Sequence, residues 1–284
     1  MGAHCSCFDV NKRDDEHVEV VKKSGALASS QYGSASHSAT QSGGKPVHRA
    51  RQKLPDGSFY TGEWVGDTRE GSGILEKKDG GKYVGDLKGN RAEGYGVYYH
   101  ENGDRYEGQW KADKAHGDGK FVHSDGSCYE GQWAEDMQHG RGVEYWADGS
   151  RFEGEYIMGQ KNGRGEFTWG EGSSFAGEFK SGSIHGQGTY KWSDGRIYEG
   201  QWEDNHMHGQ GKMSWPDGRA YEGEYEKDRK SGFGVFTWKN GSVYRGMWKD
   251  GKQHGEGELT EAGGKKTTGV WVRGSMEPPS SERG

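Results

Sequence analysis

A 23-residue period constrains this chain more than any other feature. Nine copies of one pattern open at Tyr60, Tyr83, Tyr106, Tyr129, Phe152, Phe175, Tyr198, Tyr221 and Tyr244 without an insertion, and a truncated tenth opens at Thr267. A fixed period in the range of about 20 to 50 residues belongs to arrays in which each unit buries its apolar face only by stacking on its neighbours. In the copy from Tyr106 the glycines are Gly108, Gly117, Gly119 and Gly126, and the same four columns are glycine in all nine full copies. The run Tyr106-Glu-Gly108-Gln-Trp110 alternates between ring or glycine and polar residue, the period-2 signature of a half-exposed strand. The column of Asp113 holds Asp, Asn or Gly, the types that tolerate a left-handed backbone, and predicts a tight turn. Alternation resumes from Gly117 to His123, and Asp125-Gly126 closes the copy with a hairpin signal. Each copy therefore predicts strand, turn, strand, turn.

Composition decides what can hold such strands together. With 53 glycines and 29% hydrophobic residues the chain cannot fill a two-layer aliphatic core, whereas 11 tryptophans and 15 tyrosines can cover bare backbone. A large ring over a neighbouring strand's glycine recovers buried area that the glycine itself does not supply. The expected fold is all-β: an elongated single-layer antiparallel sheet of stacked hairpins, with an aromatic and a polar face and a disordered N-terminal segment. About twenty strands at about 4.8 Å spacing would make a rod of about 90 Å.

The pattern Tyr198, Gly200, Trp202, Gly209, Gly211, Asp217 and Gly218 resembles the membrane occupation and recognition nexus, or MORN, repeat. The resemblance covers roughly residues 54–274. Departures are Leu87, Tyr156, Phe179 and Tyr225 in place of the first-strand tryptophan, Glu171-Gly172 in place of Asp-Gly, and Thr267 in place of the opening tyrosine. The resemblance implies a MORN hairpin array acting as a membrane or cytoskeletal adaptor.

Flanking segments differ in kind. Residues 1–53 are rich in Ser, Ala, Gly and charge without periodicity, the composition of a disordered segment, and residues 275–284 form a short polar tail. The start Met-Gly-Ala-His-Cys-Ser-Cys fits the pattern for N-myristoylation of Gly2, with Cys5 and Cys7 placed for palmitoylation. One myristoyl chain holds weakly and a second acyl chain converts this to stable anchoring. No apolar run reaches signal-peptide or membrane-span length, so the expected location is the cytoplasmic face of a membrane, plasma membrane or a cortical or flagellar cytoskeleton, with lipid anchoring. Three cysteines, two of them in the first seven residues, do not make a disulfide framework. Lys45, Arg49, Arg51 and Lys53 form a basic group just before the array that could touch anionic lipid, each cation contributing on the order of 1 kcal/mol.

Within the array, His116, His139, His185, His208 and His254 share a column, but copies two strands apart stand about 10 Å from each other, too far for two imidazoles to share a zinc ion. No metal and no cofactor are expected. Between Leu54 and Gly274, 37 acids face 29 bases, which argues against nucleic acid as a partner. No phosphate loop or nucleophile elbow is present, so no catalytic residue is assigned and the chain is expected not to be an enzyme. Trp110, Trp133, Trp146, Trp169, Trp192, Trp202, Trp215 and Trp238 replace a core and, in a single layer, are expected to leave one side of each ring open as a groove for a partner helix or extended peptide. The leading expectation is a non-catalytic, membrane-tethered scaffold for cytoskeletal or signalling proteins. Two alternatives are a phosphoinositide-binding regulatory module and a soluble axonemal structural protein. Open sheet edges also allow end-to-end or edge dimerisation.

Overall fold

The computed structural model describes residues 9–12, 18–21 and 44–277. No helix occurs among the described residues. β1 (Asp9–Lys12) pairs antiparallel with β2 (Val18–Val21), a hairpin inside the stretch expected to lack structure. The rest divides into two compact units, one ending at Gln160 and the other running on from Lys161.

The first unit is a meander in which every strand pairs antiparallel with the next: β3 (Val47–Lys53), β4 (Phe59–Val65), β5 (Thr68–Glu76), β6 (Lys82–Lys88), β7 (Arg91–Tyr99), β8 (Arg105–Lys111), β9 (Lys114–Val122), β10 (Cys128–Ala134), β11 (Met137–Tyr145) and β12 (Arg151–Ile157). The second repeats the design from β13 (Gln160–Thr168) and β14 (Ser174–Lys180) through β15 (Ser183–Lys191), β16 (Ile197–Glu203), β17 (His206–Ser214) and β18 (Ala220–Glu226). It continues with β19 (Arg229–Thr237), β20 (Val243–Lys249), β21 (Lys252–Thr260), β22 (Lys266–Val272) and the two-residue β23 (Ser275–Met276). Each unit is the single-layer antiparallel arrangement that the repeat predicts. The sheet starts earlier than expected, because β3 pairs with β4 and so takes Arg49, Arg51 and Lys53 out of the N-terminal segment and into a strand.

Register explains the glycine columns. Gly96 pairs with Gly108, Gly108 with Gly119 and Gly119 with Gly131, so a strip of bare backbone crosses the strands. The second unit has the same strip through Gly188, Gly200, Gly211 and Gly223. Rings lie on it: a methyl group added at Gly119 would stand 2.2 Å from the Tyr106 hydroxyl oxygen, and one added at Gly108 would stand 2.4 Å from Gly119 Cα. The alternation of the sequence thus places each opening ring over the glycine of the strand it pairs with.

Turns follow the second rule of the pattern. In the hairpin loop Ala112-Asp113 both residues have positive φ, 49° and 69°, as a type I′ turn requires to match strand twist. The second residue is the Asp, Asn or Gly that the sequence marked. The first is not marked, and Glu135, Met158 and Lys227 adopt the same left-handed backbone without being glycine. The third rule was invisible beforehand: pairing shifts between Gly108 and Trp110, making a β-bulge in which Gly117 turns left-handed at φ 59°. Gln109 Oε1 accepts the freed N–H of Asp118 at 3.0 Å, and Gln132 and Gln201 serve Arg141 and Gln210 likewise.

Turn acids also join copies. Asp113 Oδ1 accepts the N–H of Ala92 at 2.7 Å while the Asp113 N–H donates to the Ala92 carbonyl at 3.0 Å. Asp136 clasps Ala115, Asn205 clasps Ile184 and Asp228 clasps Met207 in the same way. Each such bond is worth about 1 kcal/mol net.

Gly119→Ala is expected to cost about 2 kcal/mol or more by driving a methyl into Tyr106. Gly218→Ala meets no atom within 4 Å and strains only a φ of 91°, so it should cost about 1 kcal/mol. Urea unfolding of the two variants measures the difference.

Candidate functional site

The aromatic face carries the side chains that repeat with least variation. Tyr106 lies on the glycine strip and donates its hydroxyl to the Gln109 carbonyl at 2.9 Å, and Tyr83, Tyr198 and Tyr221 make the same bond within their own copies. Its ring meets Trp110 of its own strand edge-on at 5.0 Å and Trp133 of the next copy at 5.3 Å. Edge-to-face geometry of this kind adds about 0.5–1.5 kcal/mol per pair beyond burial. The Trp133 indole N–H donates to the Gly119 carbonyl at 3.0 Å, as Trp110, Trp202 and Trp248 do to glycines of the copies before them. Trp64, in the first full copy, has a buried indole nitrogen with no such acceptor.

This interlocking corrects the expectation of an open tryptophan groove. Trp133, Trp146, Trp169 and Trp192 are each 5% exposed and Trp202 is 2% exposed. Only Trp110, Trp215 and Trp238 of the eight remain half-buried. A single layer does not leave one side of these rings open, because a ring of the following copy packs against them, as Trp133 does edge-on against Tyr106 and Tyr190 does at a tilt against Trp169.

The basic group is also partly committed. Arg51 stacks 3.6 Å from the Phe59 centroid and pairs with Glu76 at 2.7 Å, while Arg49 sits 4.9 Å from Trp64 and donates to the Gly66 carbonyl at 2.7 Å. Lys45 and Lys53 are exposed. Gly2, Cys5 and Cys7 lie outside the described residues. In the histidine column, His116, His139 and His185 each bury Nδ1 without a hydrogen-bond partner. Among the described residues no three His, Cys, Asp or Glu side chains converge as metal ligands would.

What sequence reading missed is one variable column facing the rings. Between the rings of successive copies lies a slot whose base is the tenth residue of the copy: Arg69, Ala92, Ala115 and Gln138 in the first unit, and Lys161, Ile184, Met207, Lys230 and Gln253 in the second. Lys230 shows what the slot is. Its ammonium stands 5.8 Å from the Trp215 centroid, 5.6 Å from Tyr221, 5.4 Å from Phe236 and 5.5 Å from Trp248, and only 9% of the residue is exposed. Four rings around one cation form a cage worth about 2 kcal/mol where water is excluded. Arg69 leans over Tyr60 at 5.8 Å and Lys161 over Phe167 at 5.9 Å. Ile184 and Met207 fill their slots with apolar chains, both 2% exposed.

The two alanine slots differ. Over Ala92, Lys77 stands where other copies carry tryptophan and places its ammonium 4.7 Å from the Tyr98 ring. Over Ala115 the tryptophan is replaced by His100, whose ring lies 5.8 Å from Phe121. Burial lowers the His100 pKa against the opposing pull of Asp104, so near neutrality it adds no full charge. Phe121 remains partly exposed, as Leu75 and Tyr98 do at the same position of the two copies before it, whereas Phe167, Tyr190 and Phe236 are 2%, 0% and 8% exposed. A basic column was legible in the sequence at Arg69, Lys161 and Lys230, but nothing in it says that these residues point at rings.

The family model for the MORN repeat matches residues 60–82, 83–105, 106–128, 129–151, 152–174, 175–195, 198–218, 221–243 and 244–264. The chain therefore belongs to the MORN repeat family. No curated protein matches this sequence. Among solved structures, the chain is similar to the TCP10 domain of CPAP from Danio rerio, at 12% identity and a TM-score of 0.32, over 78% of this chain and 93% of that one. It is also similar to the TCP domain of SAS-4 from Drosophila melanogaster, solved with a proline-rich motif of Ana2, at 12% identity and a TM-score of 0.31 over 62% and 84%.

Burial raises the phenol pKa of Tyr83, Tyr106, Tyr198 and Tyr221 above the ordinary value of 10.0. An acid whose folded pKa is raised stabilises the fold fully below its unfolded value and loses that contribution as pH rises toward the folded one. The expected outcome is that tyrosinate absorbance at pH 10 reports only the exposed phenols, the rest appearing together with alkaline unfolding.

Proposed function

We propose that this chain is a non-catalytic scaffold, tethered to the cytoplasmic face of a membrane by acyl chains at Gly2 with Cys5 and Cys7, that gathers cytoskeletal or signalling proteins on its aromatic face. The observation that carries the reading is the array itself: nine MORN repeats with their polar tips turned inward to hold the sheet. A chain built this way offers surface, since the phenols of Tyr83 and Tyr106, the indole of Trp133 and the carboxylates of Asp136 and Asp228 bond to its own backbone. The place on that surface is narrower than a row of tryptophans. It lies in the first unit, where Tyr98, His100, Trp110 and Phe121 are only partly buried.

Two measurements test the reading. Clickable myristate fed to cells should label the full chain and not Gly2→Ala, and Cys5→Ser with Cys7→Ser should move it from the membrane to the soluble fraction; an unlabelled wild type removes the tether. A photoreactive residue at position 121 should capture a protein that one at the outer-face position of Glu130 does not. Equal capture from both positions defeats the aromatic-face assignment.

A further inference from the structure

We infer that the slot over Ala115 is a receptor for a lysine side chain supplied by a partner protein. This deepens the scaffold reading and rests on it for the existence of a partner, though not for the chemistry of the slot.

The chain fills the same cavity in other copies with cations of its own. Three of the nine copies insert a cation from the slot base, Arg69, Lys161 and Lys230, and the last stands among four rings. At Ala92 the neighbouring Lys77 supplies the ammonium from the side. At Ala115 neither device is present: the base is a methyl group and the flanking position is His100. The walls remain, with Tyr106 and Trp133 at 5.3 Å and Phe121 and Trp133 at 6.4 Å between centroids. Phe121 is partly exposed, as Tyr98 is beside Lys77, whereas Phe167 over Lys161 and Phe236 over Lys230 are buried.

Charge points the same way. The clasp residue beyond each slot with a cation at its base is uncharged, Asn90 beyond Arg69, Gly182 beyond Lys161 and Gly251 beyond Lys230, whereas beyond Ala92, where Lys77 brings the cation from the side, it is Asp113. Beyond Ala115 it is Asp136, whose Oδ1 accepts the Ala115 N–H at 2.8 Å. A carboxylate thus stands at the end of a three-ring slot that has no cation of its own at its base. Met207 also has an acid beyond it, Asp228, but there the acid is met by His206 at 2.5 Å and an apolar side chain fills the slot. An apolar guest would be indifferent to Asp136, and an acidic one would be repelled by it. An ammonium on a four-carbon stem satisfies both the rings and the carboxylate, and Lys230 shows such an ammonium among rings.

The test uses the full chain with tryptophan labelled at the indole nitrogen. The pentapeptide acetyl-Gly-Gly-Lys-Gly-Gly-amide should shift the Trp133 indole signal, and the norleucine analogue should bind roughly 5- to 30-fold more weakly, the factor expected for losing a cation–ring contact of about 1–2 kcal/mol. Ala115→Lys should abolish the peptide shift, displace the same indole signal by itself and raise the midpoint of thermal unfolding, whereas Ala115→Glu should lower it. Asp136→Asn should weaken the peptide several-fold. Norleucine binding as well as lysine, an unmoved Trp133 signal in Ala115→Lys, or a midpoint falling equally in the two Ala115 variants would each overturn the assignment. Photocapture at position 121 separates the two readings: capture that persists in Ala115→Lys removes the slot and leaves the scaffold, while no capture in any variant removes the scaffold and leaves the peptide result to judge the slot.

Discussion

A tyrosine ring lying on a strip of glycines is the contact on which the rest of this structure depends. The strip exists because Gly108, Gly119 and Gly131 pair directly across strands, and it admits a ring because no Cβ intervenes: a methyl at Gly119 would collide with Tyr106. A ring held that close can donate its hydroxyl back to its own strand and can receive tryptophans edge-on from its own copy and the next. Tyr60, Tyr198, Tyr221 and Tyr244 are thereby fully buried in a chain with only 29% hydrophobic residues. The requirement that each ring meet a glycine of the strand beside it also accounts for the absence of insertions, since a one-residue slip turns every side chain to the opposite face.

Polar side chains complete what the rings begin. A turned-back Gln109 satisfies the bulge, and Asp113 or Asp136 ties each hairpin loop to the loop of the copy before it. Copies with glycine at the clasp keep only the backbone half of the tie, as Gly182 does with Lys161 and Gly251 with Lys230. Stability in the array is therefore shared between neighbours, as expected where each unit touches only the next.

Function enters through variation on this fixed frame. Positions that hold the frame hardly change from copy to copy, so information about partners must reside where copies differ. The slot base is such a position. It ranges from Lys230 among four rings, through Ile184 and Met207, to Ala115 beneath a partly exposed Phe121. Tryptophan, the residue that first suggests binding, mostly serves the frame instead.

The sequence by itself determined the repeat, the strand and turn alternation, the all-β class and the family, because a period-2 pattern of ring and glycine leaves a backbone few other ways to bury its surface. It also placed the left-handed turn residues at the column of Asp113. Only the tertiary structure decided that the tryptophans are enclosed, that β3 carries Arg49 and Arg51 into internal pairs, and that Lys230 points into a cage. The reason is physical. Local pattern fixes which face a side chain takes, whereas exposure depends on what the next copy places against that face, which becomes defined only once register and bulge have set the distance between rings.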